Sequence, residues 1–238
     1  MRPVPGQARF TVGTAALTWF VTLVVAFAIT ITVATMTGYV DTPAEDLPAW
    51  MTAVSVTALW IPVLIALRAI SARLGTGDFR TDYGLRFQWV DLVGVPLGVL
   101  TQLVLLELVY WPLRSLFPNQ FDKDSVEKVA RNLFDRLDGG WLVLLVLIVV
   151  VGAPVIEELL YRGLIFRTLD GQIAAPLAIV GSALWFAAAH FQPVQFAGLF
   201  VIGLVLATCV QRTGRLGMAI VTHAAFNATT VLLLLAER

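Results

Sequence analysis

The chain has two histidines, His190 and His223, and both lie inside apolar runs. The same C-terminal half carries an adjacent acid pair, Glu157-Glu158, also bounded by apolar residues. Charged side chains at the centre of a membrane helix cost roughly 2.5–3.5 kcal/mol each on insertion scales, so groups kept there have a task. Carboxylates and imidazoles gathered in such a place can relay a proton, activate a water or hold a metal ion. These residue types offer those three chemistries.

Three short patterns set their mutual positions. In Glu157-Glu158-Leu159-Leu160-Tyr161-Arg162, Glu158 and Arg162 are i,i+4 neighbours with the acid first, the favourable order. That pairing neutralises one carboxylate and leaves Glu157, about 100° round the helix, to face a polar cavity. In Phe186-Ala187-Ala188-Ala189-His190 the alanines allow close helix approach. Phe186, one turn before His190, walls the imidazole off from lipid. In His223-Ala224-Ala225-Phe226-Asn227, the i,i+4 spacing puts imidazole and carboxamide on one face. Such an amide suits orientation of the ring or stabilisation of an oxyanion. Each pattern also has a plain structural reading: an interfacial ion pair for the acids, and interhelical hydrogen bonding for each histidine.

Spacing relates the patterns to one another. If the helix carrying Glu157 runs through Arg167 and turns at Asp170-Gly171-Gln172, with Pro176 opening the return, Glu157 and His190 are nearly equidistant from the turn. They then share one depth. His223 fits less simply, because at ~1.5 Å per residue it lies only about 12 Å from Arg215. Helix tilt, or a turn that projects from the membrane, must supply the difference.

The elements that hold these residues are membrane helices. Of 238 residues, 58% are hydrophobic and 13% charged, about half the charged share of soluble domains, and the mean hydropathy is +0.84. The formal net charge is zero, which gives no reason to expect a nucleic-acid partner. Cys209 is the single cysteine, so no intrachain disulfide can form. The predicted fold class is all-α, a polytopic transmembrane helical bundle of about seven spans. They fall at 12–36, 50–67, 92–113, from Trp141 toward the acid pair, and at 173–191, 194–211 and 216–235. The first apolar run is longer than a signal-peptide core and is read as a retained span.

Basic residues set the direction. Arg2 and Arg9 precede the first span, whereas Asp41, Glu45 and Asp46 follow it with no base among them. Arg68, Arg73, Arg80 and Arg86 follow the second span, Arg162 and Arg167 the fourth, and Arg212 and Arg215 separate the last two. The positive-inside rule makes that side cytoplasmic, with the N-terminus inside and, for an odd count, the C-terminus outside. The mixed-charge connection 114–140, helical in its apolar spacing, is expected to be an interfacial helix on the outer side. Two regions result: 1–140, with three spans and the interfacial helix, and 141–235, the chemical core. Glu107, two turns before Arg114, is read as an ion-pair partner and left out of the site.

In this order, each in an apolar helix and with Thr213-Gly214 ahead of the last, the three patterns resemble the CPBP family, also called Abi or CAAX-protease-like, over roughly residues 141–235. That family includes the Ras-converting CAAX prenyl endopeptidases. The resemblance implies a CAAX-prenyl-endopeptidase-like core. Its EExxxR, FxxxH and HxxxN patterns carry Glu157, Glu158 and Arg162, then Phe186 and His190, then His223 and Asn227 into an intramembrane peptidase site, without a departure. The activity it implies is endopeptidase cleavage of a membrane-associated, lipidated or hydrophobic peptide, in a membrane-lipid environment. Glu157 is then expected as general base, His190 as positioner of the water, and His223 and Asn227 as donors toward the oxyanion. The Glu158–Arg162 pair would hold its helix in register.

The family has been described both as metalloproteases and as metal-independent glutamate peptidases. A glutamate mechanism that requires no cofactor is favoured here, and zinc held by Glu157, His190 and His223 is the alternative. The chain has no HExxH. Two other function classes stay open. One is a non-catalytic membrane scaffold or bacteriocin-immunity-type factor, to which the family resemblance extends. The other is a proton-coupled transporter, disfavoured by a short chain without an internal repeat. The expected location is an integral, multi-pass one, in the cell membrane if the source is prokaryotic.

Overall fold

The computed structural model describes residues 10–43, 46–135 and 138–237. Arg2, Arg9 and Glu45, which entered the charge reading, lie outside the described residues. Among the described residues, six helices are long and apolar enough to cross a membrane: α1 (Val12–Thr37), α2 (Ala49–Leu74), α4 (Trp89–Leu116), α6 (Gly139–Asp170), α8 (Phe196–Thr213) and α9 (Gly217–Ala236). Between them lie the short α3 (Phe79–Tyr83), α5 (Lys123–Asp135) and α7 (Ala175–Ala189). The protein is an all-α, integral multi-pass membrane protein.

The sequence predicts a seventh full span at 173–191, but α7 has 15 residues, a rise of about 22 Å against a hydrocarbon core of about 30 Å. Its end has a local cause. Pro193 disfavours helical backbone at Gln192, and Phe191 stands in the left-handed region at φ 53°. The helix therefore stops at His190, and a non-helical stretch carries the chain on to α8. Gln195 Nε2 donates to Val126 O of α5 at 2.9 Å, tying that stretch to α5.

The helix ends sort into two groups. At the arginine-rich end, Phe10 stacks on Tyr83 at 5.6 Å, which brings the start of α1 to α3. The α8–α9 turn donates there too, from Leu216 N to Gly84 O at 2.9 Å and from Gly217 N to Arg86 O at 3.2 Å. At the opposite end, Glu237, just past α9, pairs with Lys123 at 3.0 Å and with Arg131, both on α5. Phe134 of α5 is buried against Val231 and Leu234 of α9. α5 thus lies across the end away from the arginines, where the sequence places the interfacial helix.

Carboxylates hold α5 in place. Hydrogen bonds from the Ser125 backbone N–H and hydroxyl hold Asp122 below the usual carboxylate range, and bonds from Arg131 and Lys123 do the same for Glu237. A depressed folded-state value means that the stabilisation is complete above the ordinary range near pH 4 and is lost as pH falls below it. The amides of α5 are therefore expected to lose protection, after correction for intrinsic rates, between about pH 4 and pH 2, while those of α6 keep theirs. Hydrogen exchange with mass spectrometry measures both, and unchanged α5 protection at pH 2.5 would contradict the assignment.

α6 is the axis of the bundle. Every residue from Glu158 to Phe166 is buried, and the segments Ile148–Gly152 and Glu158–Phe166 are wound as π-helix. Such insertions are rare and frequently fall at functional sites, because they redirect side chains and carbonyls within an otherwise regular helix.

Candidate active site

Glu158 and Arg162 are both fully buried, and their ion pair is 2.8 Å long. Both members of this buried charge pair have further partners, while Glu158 Oε2 and Arg162 Nε make no hydrogen bond among the described residues. Arg162 Nη2 donates to Gly203 O of α8 at 3.2 Å, and the guanidinium carbon lies 4.4 Å from the Phe186 ring centroid. Glu158 has a second partner, since its Oε1 also lies 3.0 Å from His223 Nδ1 on α9. The local pair legible in the sequence is present, and the link to His223 adds to it.

Glu157, next in the chain, points elsewhere. Its Oε2 is 3.9 Å from His190 Nε2 and 3.9 Å from His223 Nε2. It is a buried atom that accepts no hydrogen bond from any described residue. His190 Nδ1 lies 2.7 Å from Phe186 O. A carbonyl only accepts, so Nδ1 carries the proton, and in the neutral ring Nε2 presents a lone pair toward Glu157. Two acceptors 3.9 Å apart are too far for a direct bond. They suit one water that donates to both, with bonds of about 2.8 Å meeting at about 90°.

Phe186 separates the two rings from what lies beneath. Its centroid is 4.6 Å from that of His190 and 5.9 Å from that of His223, with Tyr161 packed edge-on at 5.2 Å. The sequence reading gave it one histidine to shield, and in the structure it touches both. Tyr161 was not singled out, although it sits one turn after Glu157. Its hydroxyl accepts a bond from Trp19 Nε1 of α1 at 3.3 Å, and the distance of 142 positions between them left no local signal.

The depths agree. α6 does run through Arg167, and the connection to α7 falls at Gly171–Ala174, so Glu157 and His190 face each other as the hairpin spacing predicts. Arg167 Nη2 donates to Gly214 O at 2.6 Å. Arg167 lies about 15 Å along the helix from Glu157, and Gly214 about 13 Å along the chain from His223. The overhang of α6 at the arginine-rich end therefore supplies the missing height, and His223 arrives level with the acid pair.

Asn227 is placed differently from the sequence expectation of a partner for the His223 ring or an oxyanion. Its Nδ2 donates to Val149 O at 2.8 Å, a carbonyl in the first π segment of α6. The altered winding turns that carbonyl outward, and the amide satisfies it. Glu107, left out of the site, pairs with Arg114 at 2.6 Å, as expected.

The zinc alternative meets a geometric test. Zinc takes His nitrogen and carboxylate oxygen at about 2.0–2.2 Å with angles near 109°. Separations of 3.9 Å between Glu157 Oε2 and each Nε2 would open those angles to about 140°. No group of three His, Cys, Asp or Glu among the described residues is arranged to hold a metal ion. As placed, these donors do not fit tetrahedral zinc.

Two carboxylates and two imidazoles thus converge inside the apolar bundle of a multi-pass helical protein. Residues 139–229, which hold all of these groups, match the family model described as type II CAAX prenyl endopeptidase, Rce1-like; over this segment the chain is similar to the CPBP/CAAX protease family. That match supports a CAAX-type intramembrane protease in general, in a membrane environment and acting on a peptide. No curated protein and no solved structure matches the chain.

Proposed function

We propose that the protein is a metal-independent glutamate endopeptidase that cleaves a membrane-associated peptide carrying a lipid or a hydrophobic segment. The observation that supports this most is the position of Glu157 Oε2, equidistant from the two Nε2 atoms and free of other partners among the described residues. A water held between Glu157 and His190 loses a proton to Glu157 as its oxygen attacks the scissile carbonyl carbon. His223, its Nδ1 oriented by Glu158, donates from Nε2 in its protonated form to the developing oxyanion. When the C–N bond breaks, Glu157 returns the proton to the leaving amine. Arg162 neutralises Glu158, Phe186 excludes lipid from the rings, and Asn227 keeps α9 against α6.

The side chains of Glu157 and His190 retain 26% and 25% exposure against 6% for His223, so a substrate enters from the side of the base and its carbonyl oxygen points inward to His223. Residues 141–235 form the reacting core, against which α4 of the N-terminal region packs through Gly94 and Gly98. By the positive-inside rule the arginine-rich end is cytoplasmic, and in a prokaryotic host the membrane is the plasma membrane.

The test is cleavage of a fluorogenic, farnesylated peptide ending in a CAAX sequence, alongside its unprenylated counterpart, by purified protein in proteoliposomes. Cleavage of at least one, insensitive to chelators and lost in Glu157→Gln, is expected. Cleavage of neither, or activity that chelators abolish and zinc restores, would overturn the proposal.

A further inference from the structure

The N-terminal region touches the reacting core most closely where α4 meets α9. Asp91, in the first turn of α4, is fully buried and forms an ion pair with Arg215 of the α8–α9 turn. Its Oδ1 accepts from Arg215 Nη2 at 2.7 Å and from Nε at 3.1 Å, while Oδ2 accepts from Gln88 N at 2.7 Å. Directly above follow Gly94 and Gly98, a small-xxx-small ridge of the kind that lets membrane helices touch backbone to backbone. A Cβ at Gly94 would lie 2.8 Å from Met218 O, and one at Gly98 would collide with Thr222 O. Gly217 is required for the same reason, since a Cβ there would strike the Asp91 carboxylate.

His223 is the residue after Thr222 and eight positions after Arg215, about 12 Å along the helix. Its Nδ1 meets Glu158 at 3.0 Å, so a one-residue slip of α9 would rotate the ring by about 100° and take it off the carboxylate. Within the matched family segment the foot of α9 is held by Arg167, which binds the Gly214 carbonyl, and by Thr213, which bonds Arg215 within the turn itself. We propose that Asp91, outside that segment, is a positioning residue for the reaction: with Arg215 and the Gly94/Gly98 seat it fixes the height and rotation of α9 that deliver His223 to Glu158. Its effect on turnover rests on the peptidase reading, whereas its effect on the His223 ring does not.

The presence of only two histidines makes this measurable. Full-length protein labelled with [15N]histidine in lipid nanodiscs gives two ring systems, assigned with His190→Gln. Asp91→Asn is expected to shift the His223 ring nitrogens and to leave those of His190 in place. With a cleaved peptide, kcat should fall about 100-fold with KM within about 2-fold, the scale of a displacement of about 1 Å at a reacting group. Arg215→Lys, which keeps the charge, should restore most of both readouts relative to Arg215→Gln. Gly98→Ala, which presses on Thr222 without touching Asp91, should move the same His223 signals and carries the test if Asp91→Asn does not fold. Wild-type His223 signals in a folded Asp91→Asn or Gly98→Ala protein, or equal shifts at both histidines, would overturn the proposal. If wild-type protein cleaves no peptide while the spectra behave as described, the peptidase reading fails and the positioning role stands.

Discussion

Glu157→Gln is expected to lower kcat by about 10³-fold, within the range of about 10²–10⁴ that general-base catalysis contributes, with thermal stability unchanged. Glutamine keeps the volume and removes the proton acceptor. Little structural cost follows, because Glu157 Oε2 accepts no hydrogen bond from a described residue and the side chain is 26% exposed. His190→Ala should cost less alone, since the carboxylate still contacts the water. The double variant should be scarcely slower than Glu157→Gln, as groups acting on one water are not additive. Initial rates on the cleaved peptide in proteoliposomes, with melting followed by circular dichroism, separate activity from folding. Full activity in Glu157→Gln would remove the base from the scheme.

Arg162→Ala is expected to have the largest effect on stability, about 3–5 kcal/mol, the cost of stranding one member of a buried ion pair. Glu158 would remain fully buried with His223 as its only partner among the described residues, and the stacking on Phe186 and the bond to Gly203 would go as well. A loss of that size is a large share of a typical total of about 5–15 kcal/mol. Arg162→Lys should fall between, since an ammonium keeps the charge but neither stacks nor forks in the same way. Unfolding of the purified protein in mild detergent, followed by near-ultraviolet dichroism, reads the difference. An Arg162→Ala protein as stable as wild type would show that the pair contributes nothing to holding α6.

What the sequence made legible was whatever depends on short spacing or on distance from a shared turn. Charge-free runs gave the spans, i,i+4 order gave Glu158–Arg162, and symmetry about the α6–α7 connection gave the meeting of Glu157 with His190. Contacts between distant segments left no such trace. Glu158 finds His223 across 65 positions, and Asn227 finds Val149 across 78. The second also depends on a π turn, which redirects a carbonyl without altering the apolar pattern that marks a helix. The Asp91–Arg215 pair joins the first turn of α4 to the α8–α9 turn, and of the two only Arg215 enters the sequence reading, as a topology signal. The shortness of α7 had a visible cause in Pro193, but hydropathy alone extends the span to Phe191, which is apolar whether helical or not.

The central claim is that one carboxylate oxygen stands between two imidazoles, and [15N]histidine spectra of wild-type and Glu157→Gln protein in nanodiscs test it without any substrate. The Nε2 resonances of His190 and His223 should both move on the substitution, while His223 Nδ1, held by Glu158, changes far less. A shift at one histidine alone, or at neither, would contradict it.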